Sequence, residues 1–154
     1  FAFATGVFFG LGTLYVLAFN GLMIGTVAAV VHGHGVATSF WGFVAPHGVL
    51  ELTAIFIAGA AGLRLGHALV EPGKHGRLDA LRLAAREAVK LVMGVVVMLV
   101  LAGLIEAFVS PVPELPSALK FEFAAVVFLA EYAYLLLAGR DRTAQINASA
   151  LRPR

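Results

Sequence analysis

The chain has no cysteine and few charged residues, and both absences restrict what it can be. Without cysteine among its 154 residues, disulfides and thiolate metal sites are excluded. Only 13% of the residues are charged, about half the share found in ordinary soluble domains, whereas 60% are hydrophobic. The net charge of +2 is too small to indicate nucleic-acid binding. This composition predicts an all-α membrane protein whose main partner is the lipid bilayer.

The first 31 residues contain no charged side chain, and Asn20 is their one strongly polar group. A single helix of that length would measure about 46 Å, which exceeds the roughly 30 Å hydrocarbon core of a bilayer. Because Asn-Gly favours a turn, we expect one span to end near Asn20 and a second to begin there. One kinked span over residues 1–31 is the alternative. The fold prediction is a polytopic bundle of about five transmembrane helices, or four with the kinked span.

Turn-forming and basic residues separate the apolar segments and give the remaining boundaries. The predicted spans cover residues 1–18, 20–38, 47–67, 91–109 and 119–138. They form a transmembrane domain over residues 1–139, and a polar tail follows over residues 140–154. Pro46 is expected just before the third span, since proline suits the start of a helix. The chain enters apolar sequence at once without an initiator methionine, so we expect an upstream part to be missing.

The basic residues are concentrated in two places, and this distribution predicts the orientation. Residues 64–90 contain six of the eleven Lys and Arg residues, and the tail contains four. By the positive-inside rule both regions belong to the cytoplasmic side. The loops at residues 32–46 and 110–118 then face outward, while residues 77–90 form a short basic amphipathic run. The prediction is a multi-pass protein of the cell membrane with a cytoplasmic C-terminus.

Polar residues gather at the predicted outer ends of the spans. His47 and Glu51 are four residues apart and therefore share one helix face. Glu106 ends the next span on the same side. An intramembrane carboxylate is costly and usually marks a functional or paired position. The plain interpretation is a histidine–carboxylate hydrogen bond that joins two helices, and a proton or ion relay or a transition-metal site are the alternatives.

The other candidate residues give weaker signals. His32 and His34 in the adjoining loop could supplement His47 and Glu51 as metal ligands, but the expectation is no metal and no cofactor. Glu131 is an isolated carboxylate in the last span, for which we expect a tyrosine or asparagine partner on another helix. No phosphate-binding loop, activated serine or pair of catalytic carboxylates can be recognised, so we predict no catalytic residue and no enzymatic activity.

Small residues recur at intervals that suit helix packing. In lipid, helices gain little by hiding apolar surface, so close backbone approach at small residues holds them together. Gly6 and Gly10 form one such pair in the sequence. The glycines predicted to pack helices are Gly21, Gly25, Gly59, Gly62 and Gly66.

Four motifs in series resemble the Stage II sporulation protein M family. They are residues 19–25 (FNGLMIG), 46–51 (PHGVLE), 57–62 (IAGAAG) and 105–111 (IEAFVSP). The resemblance covers roughly residues 5–125. It implies a further transmembrane segment upstream, and hence Phe1 on the outer side. It also implies a membrane scaffold, because the family's namesake anchors two peptidoglycan-degrading enzymes in spore-forming bacteria.

Two hypotheses for function follow from these features. The leading one is a non-enzymatic membrane scaffold that recruits or anchors partners that remodel the cell envelope and its peptidoglycan. The alternative is a small permease or an ion- or proton-coupled transport subunit that uses Glu51, Glu106 and Glu131 as intramembrane ionisable sites. The expected protein partners are other membrane or cell-wall-remodelling proteins and, in a homo-oligomer, further copies of the chain.

Overall fold

The computed structural model describes residues 1–74 and 76–150, with side chains as far as residue 138. Within this part every regular element is helical, and a short 3₁₀ helix precedes four α-helices. The 3₁₀ helix covers Ala4–Val7, α1 Leu11–Gly33, α2 Ala37–Val70, α3 Arg77–Phe108 and α4 Ser117–Ala150. Each α-helix contains a stretch long and apolar enough to cross a membrane. A helix suits lipid because it satisfies its own backbone hydrogen bonds.

The central element is α2, which packs against α1, α3, α4 and the 3₁₀ helix. Among the described residues, α3 and α4 do not approach each other within 8 Å between Cα atoms, and α1 approaches neither of them. The bundle is therefore organised around α2, and each of the other three helices is positioned mainly by its contact with α2.

The first 33 residues contain one membrane-length helix rather than two. Helix α1 continues without a break through Asn20 and Gly21. The Asn20 amide donates a hydrogen bond to the Val16 carbonyl, 2.8 Å away and one turn earlier. The helix itself thus satisfies the polar group that favoured a turn. The separate spans predicted over residues 1–18 and 20–38 are wrong, and the described residues contain four candidate spans instead of about five.

Residues 1–10 lie beside the C-terminal half of α2 and do not belong to a span. After the 3₁₀ helix the chain reverses direction at Gly10, whose φ of +80° is accessible to glycine. Gly10 packs on Gly66, and Gly6 packs on Gly62. These contacts put the start of the chain near the end of the bundle where α2 finishes. The expectation that Phe1 lies at the opposite end, with the predicted outer loops, is therefore wrong.

The predicted loop over residues 32–46 is mostly helix. Helix α2 begins at Ala37 and contains Pro46, so only residues 34–36 connect it to α1. Proline removes one backbone hydrogen bond and crowds the residue four positions earlier, which here is Gly42. Gly42 is buried, and a Cβ atom added there would lie 3.1 Å from the Ser117 hydroxyl oxygen at the start of α4. Neighbouring helices commonly allow such a proline within a membrane helix.

The last two helices are longer than the predicted spans. The basic run over residues 77–90 and the apolar span after it form the single helix α3. At 1.5 Å per residue α3 is about 48 Å long, so its basic end extends past a 30 Å core. Helix α4 continues to Ala150, into the region predicted as a tail. Residues 151–154, the end of that predicted tail, lie outside the described part of the chain.

Candidate functional site

Three ionisable side chains from two helices meet beside the N-terminal half of α2. His47 and Glu51 belong to α2, and Glu106 lies in the last turn of α3. One ring nitrogen and one oxygen of each carboxylate lie within 4.8 Å of one another. His47 is 5% exposed, Glu51 is half-buried and Glu106 is exposed. The structure thus brings together the three residues that the sequence placed at one end of the spans, and we call them the His–Glu cluster.

Two contacts hold the His47 ring, and a third fixes the segment of one of its partners. Nδ1 shares a hydrogen bond of 3.0 Å with Oγ of Ser110, which is fully buried in the connection between α3 and α4. Nζ of Lys120 donates to the Ser110 carbonyl at 2.7 Å, so α4 fixes that connection. The Phe43 ring packs edge-on against the imidazole, with 5.7 Å between the centroids. These contacts fix the ring at the junction of α2, α3 and α4.

The predicted histidine–carboxylate hydrogen bond does not form. In the part of the chain that the structure describes, no hydrogen bond or ion pair joins His47 to Glu51 or Glu106. The histidine is bonded to Ser110 instead, and this bond connects α2 to the segment after α3. The two carboxylates are left beside the ring with a gap between the three groups.

The sequence analysis assigned no role to Ser110 or to Lys120. A serine before Pro111 is typical of a turn, so its type gave no reason to expect a buried hydrogen-bonding role. Its partner, His47, is 63 positions away in the chain. Its place inside the motif over residues 105–111 was the one signal that could have identified it.

Three further candidates lie outside the His–Glu cluster. His32 and His34 are exposed at the end of α1, where each ring lies in hydrogen-bonding distance of a carbonyl of its own helix, at 2.7 and 2.9 Å. Asn20 also bonds within its own helix. It lines a groove of about 320 Å³ between α1 and α2, and Glu51 lines the same groove. Asn20 therefore faces the cluster's neighbourhood, whereas the two histidines do not extend the cluster.

Glu131 lies apart, in a largely apolar cleft between α3 and α4. The cleft has a volume of about 750 Å³, and Lys90 also lines it. Both Glu131 carboxyl oxygens are buried without a hydrogen-bond partner among the described residues. The Thr53 hydroxyl lies near the carboxyl group, but it donates to the Val49 carbonyl at 3.2 Å. The predicted tyrosine or asparagine partner is not found in the described chain.

The five predicted packing glycines divide into two groups. A Cβ atom added to Gly59, Gly62 or Gly66 would meet α1 or residues 1–10 at less than van der Waals distance. Gly21 and Gly25 are exposed on α1, and no described atom outside their own helix turn lies within 4 Å of an added Cβ. Gly62 and Gly66 therefore allow close backbone approach, and Gly59 makes room for the Leu17 side chain, whereas the two α1 glycines pack on no other element among the described residues.

Four membrane-length helices, three of them arranged around α2, and an ionisable cluster beside its N-terminal half define a polytopic α-helical membrane protein. The sequence model of the family described as Stage II sporulation protein M matches residues 1–111. The chain belongs to this family, which confirms the resemblance of its four motifs. The matched region contains the His–Glu cluster and Ser110. The comparisons found no match among curated proteins and none among solved structures.

Proposed function

We propose that this chain is a non-enzymatic membrane scaffold that anchors partners which remodel the cell envelope. Membership of the Stage II sporulation protein M family carries this proposal. The family's namesake anchors peptidoglycan-degrading enzymes, so enzymes of that kind are the partners we expect. The wall chemistry then belongs to the partners, and this chain supplies their attachment to the membrane.

The short connections at the His47 end suggest how partners would attach. The connection between α1 and α2 consists of residues 34–36, and that between α3 and α4 of residues 109–116. Neither is long enough to form a separate folded module. We therefore expect partner contacts on helix ends and on membrane-embedded helix faces rather than on the connections themselves.

The scaffold proposal predicts which proteins copurify with the full-length chain. Affinity purification from native membranes, followed by mass spectrometry, should enrich envelope enzymes or their membrane anchors. A second polytopic protein with the same tag, expressed at the same level, serves as the control. Recovery of the same proteins with both baits, or of no envelope enzyme at all, would contradict the proposal.

The orientation that we propose follows the positive-inside rule. The turn after α2 and the basic start of α3 lie in the cytoplasm, and the His–Glu cluster lies at the outer side. Because the chain has no cysteine, single cysteines can test this directly. An impermeant maleimide should label Val36→Cys and Glu114→Cys in intact cells, but Lys74→Cys only after the membrane is opened. Labelling with the opposite pattern would overturn the orientation.

The carboxyl group of Glu131 in its cleft is the observation that favours the transport alternative, and this alternative can be tested. A buried carboxyl group without a partner is typical of sites where an ion or proton binds transiently. Purified protein in liposomes should then move protons or cations, and Glu131→Gln should abolish this movement. Glu122→Gln, an exposed position on the same helix, should not. Wild-type liposomes without any flux would remove this alternative and leave the scaffold.

A further inference from the structure

We propose that His47, Glu51 and Glu106 bind one divalent transition-metal ion, for which Zn²⁺ is the natural probe. This site is independent of the scaffold proposal, since it needs no partner protein. The three side chains offer one imidazole nitrogen and two carboxylate oxygens. Imidazole and carboxylate are ligand types that zinc and its neighbours in the first transition row accept.

The spacing of the three groups fits a bridging ion better than direct pairing. Nitrogen and oxygen ligands lie about 2.0–2.2 Å from zinc, so two ligands of one tetrahedral ion are about 3.3–3.6 Å apart. The candidate atoms of the cluster lie within 4.8 Å of one another, and small side-chain rotations would close the difference. Within the described chain no hydrogen bond joins any two of these groups, so the space between them is not taken by an existing bond.

Ser110 orients His47 as a metal ligand requires. A histidine that binds a metal through one ring nitrogen almost always uses the other nitrogen in a hydrogen bond, which fixes the tautomer and the ring orientation. The bond of 3.0 Å between His47 Nδ1 and Ser110 Oγ provides this contact. It leaves Nε2 as the ligand nitrogen. Because His47 is 5% exposed, the ring cannot simply turn towards solvent.

The charge of the cluster also favours a cation. Glu51 and Glu106 are two carboxylates in close proximity, and like charges at such a distance repel each other. The ion pairs among the described residues lie elsewhere, between α2 and α3 and within α3. Lys120 donates to the Ser110 carbonyl and forms no ion pair with either carboxylate among the described residues. A divalent cation with two carboxylates and a neutral imidazole would give a site without net charge.

The site has three protein ligands and keeps a position open. Three protein ligands plus one exchangeable ligand is the arrangement of zinc sites that bind a further molecule, whereas closed four-ligand sites are structural. Glu106 is exposed, so the open position is expected on its side, where water or a donor atom of another molecule can enter. The ion would also join α2 to α3 at the end where His47 lies.

Metal binding to the purified full-length protein tests the site. The protein is prepared in detergent without a polyhistidine tag, stripped with a chelator, and titrated with Zn²⁺ by calorimetry and with Co²⁺ by visible absorption. We expect one Zn²⁺ per chain and a Co²⁺ spectrum of nitrogen and oxygen ligands. Glu51→Gln and Glu106→Gln should each weaken Zn²⁺ binding at least about tenfold, and Ser110→Ala by about tenfold through the histidine.

Two control variants test whether Zn²⁺ binds to exposed histidines or to any exposed carboxylate instead of this site. The double variant His32→Ala/His34→Ala and the single variant Glu122→Gln should bind Zn²⁺ as the wild type does. Zn²⁺ should raise the melting temperature of the wild type but not that of Glu106→Gln, whose exposed position makes a folding defect avoidable. Absence of stoichiometric Zn²⁺ would overturn the proposal. So would binding that survives both Glu51→Gln and Glu106→Gln, or that disappears only with the double histidine variant.

Discussion

The two halves of α2 are held by different kinds of contact. In the C-terminal half, residues 54–70, Gly62 and Gly66 touch the backbone of residues 1–10. There Ala61 and Leu65 form the buried apolar cluster with Ala88 of α3. In the N-terminal half, residues 37–53, the polar contacts between elements centre on His47, and Gly42 lies close to Ser117 of α4.

This difference suggests that one half of α2 stabilises the fold and the other half forms a binding site. Apolar burial does little to associate helices in lipid, so they depend on close packing and hydrogen bonds. The C-terminal half packs closely against residues 1–10 and against Ala88 of α3, and none of these contacts involves an ionisable group. The N-terminal half keeps three ionisable groups together without bonds between them. Because such groups are costly in a membrane, their convergence points to a binding role.

The largest loss of stability is expected from Gly62→Ala. An added Cβ would overlap the Ala2 carbonyl and the Thr13 hydroxyl, and it would disturb their buried hydrogen bond of 2.6 Å. Overpacking of this kind costs about 1–3 kcal/mol, and the hydrogen bond adds about 1 kcal/mol. Thermal unfolding in detergent measures the effect. Gly25→Ala is the matched control, because open space surrounds Gly25; equal losses in both variants would contradict the packing role.

The next largest effect concerns the bond between His47 and Ser110. His47→Ala and Ser110→Ala should each cost about 1–3 kcal/mol, because each leaves the other buried polar group without its partner. The double variant should cost less than the sum of the two. Urea or SDS unfolding, followed through the fluorescence of the single tryptophan, Trp41, measures this coupling.

A second pair of variants, measured in the metal-free protein, is the control for the coupling between His47 and Ser110. Glu51→Gln combined with His47→Ala should show little coupling, since no hydrogen bond joins the two residues among those described. A histidine–carboxylate hydrogen bond, the plain interpretation of the sequence, would instead couple His47 to a carboxylate. Strong coupling between His47 and Glu51 with no metal present would restore that direct pairing and weaken the case for Ser110.

The sequence predicted much of this architecture and failed at specific residues. Apolar runs identify all four helices, and the spacing of His47 and Glu51 places both on one face. The predicted helix boundaries at Asn20 and Pro46 were wrong for the same reason. Each residue favours the end or start of a helix in water, but in lipid a backbone segment without internal hydrogen bonds costs more free energy than that preference provides. The Ser110 contact could not be predicted, because it depends on how residues 109–116 fold back against α2.

A smaller effect of opposite sign is expected at Glu131. Its carboxyl oxygens are buried and, in the described chain, make no hydrogen bond. Replacing an unsatisfied polar group by an apolar one of similar size removes its desolvation penalty, so Glu131→Leu should stabilise the protein by about 1 kcal/mol. The melting temperature in detergent checks this, with Glu122→Leu at an exposed position of α4 as the control. A loss of stability would indicate a partner or ligand in the cleft.

The smallest effect is expected from the ion pair between Arg64 and Glu87, which joins α2 to α3 beside the apolar cluster. Its side chains are 58% and 57% exposed, and exposed pairs contribute about 0.2–1 kcal/mol. A double-mutant cycle of Arg64→Ala and Glu87→Ala should give a coupling in that range, and added salt should reduce it. The exposed pair of Arg82 and Asp79 within α3 gives a matched reference.

A coupling between Arg64 and Glu87 above about 2 kcal/mol that does not change with added salt would mean that the pair lies in a region of low dielectric constant. Charge, and not backbone packing alone, would then hold the C-terminal half of α2, and the contrast between its two halves would fail.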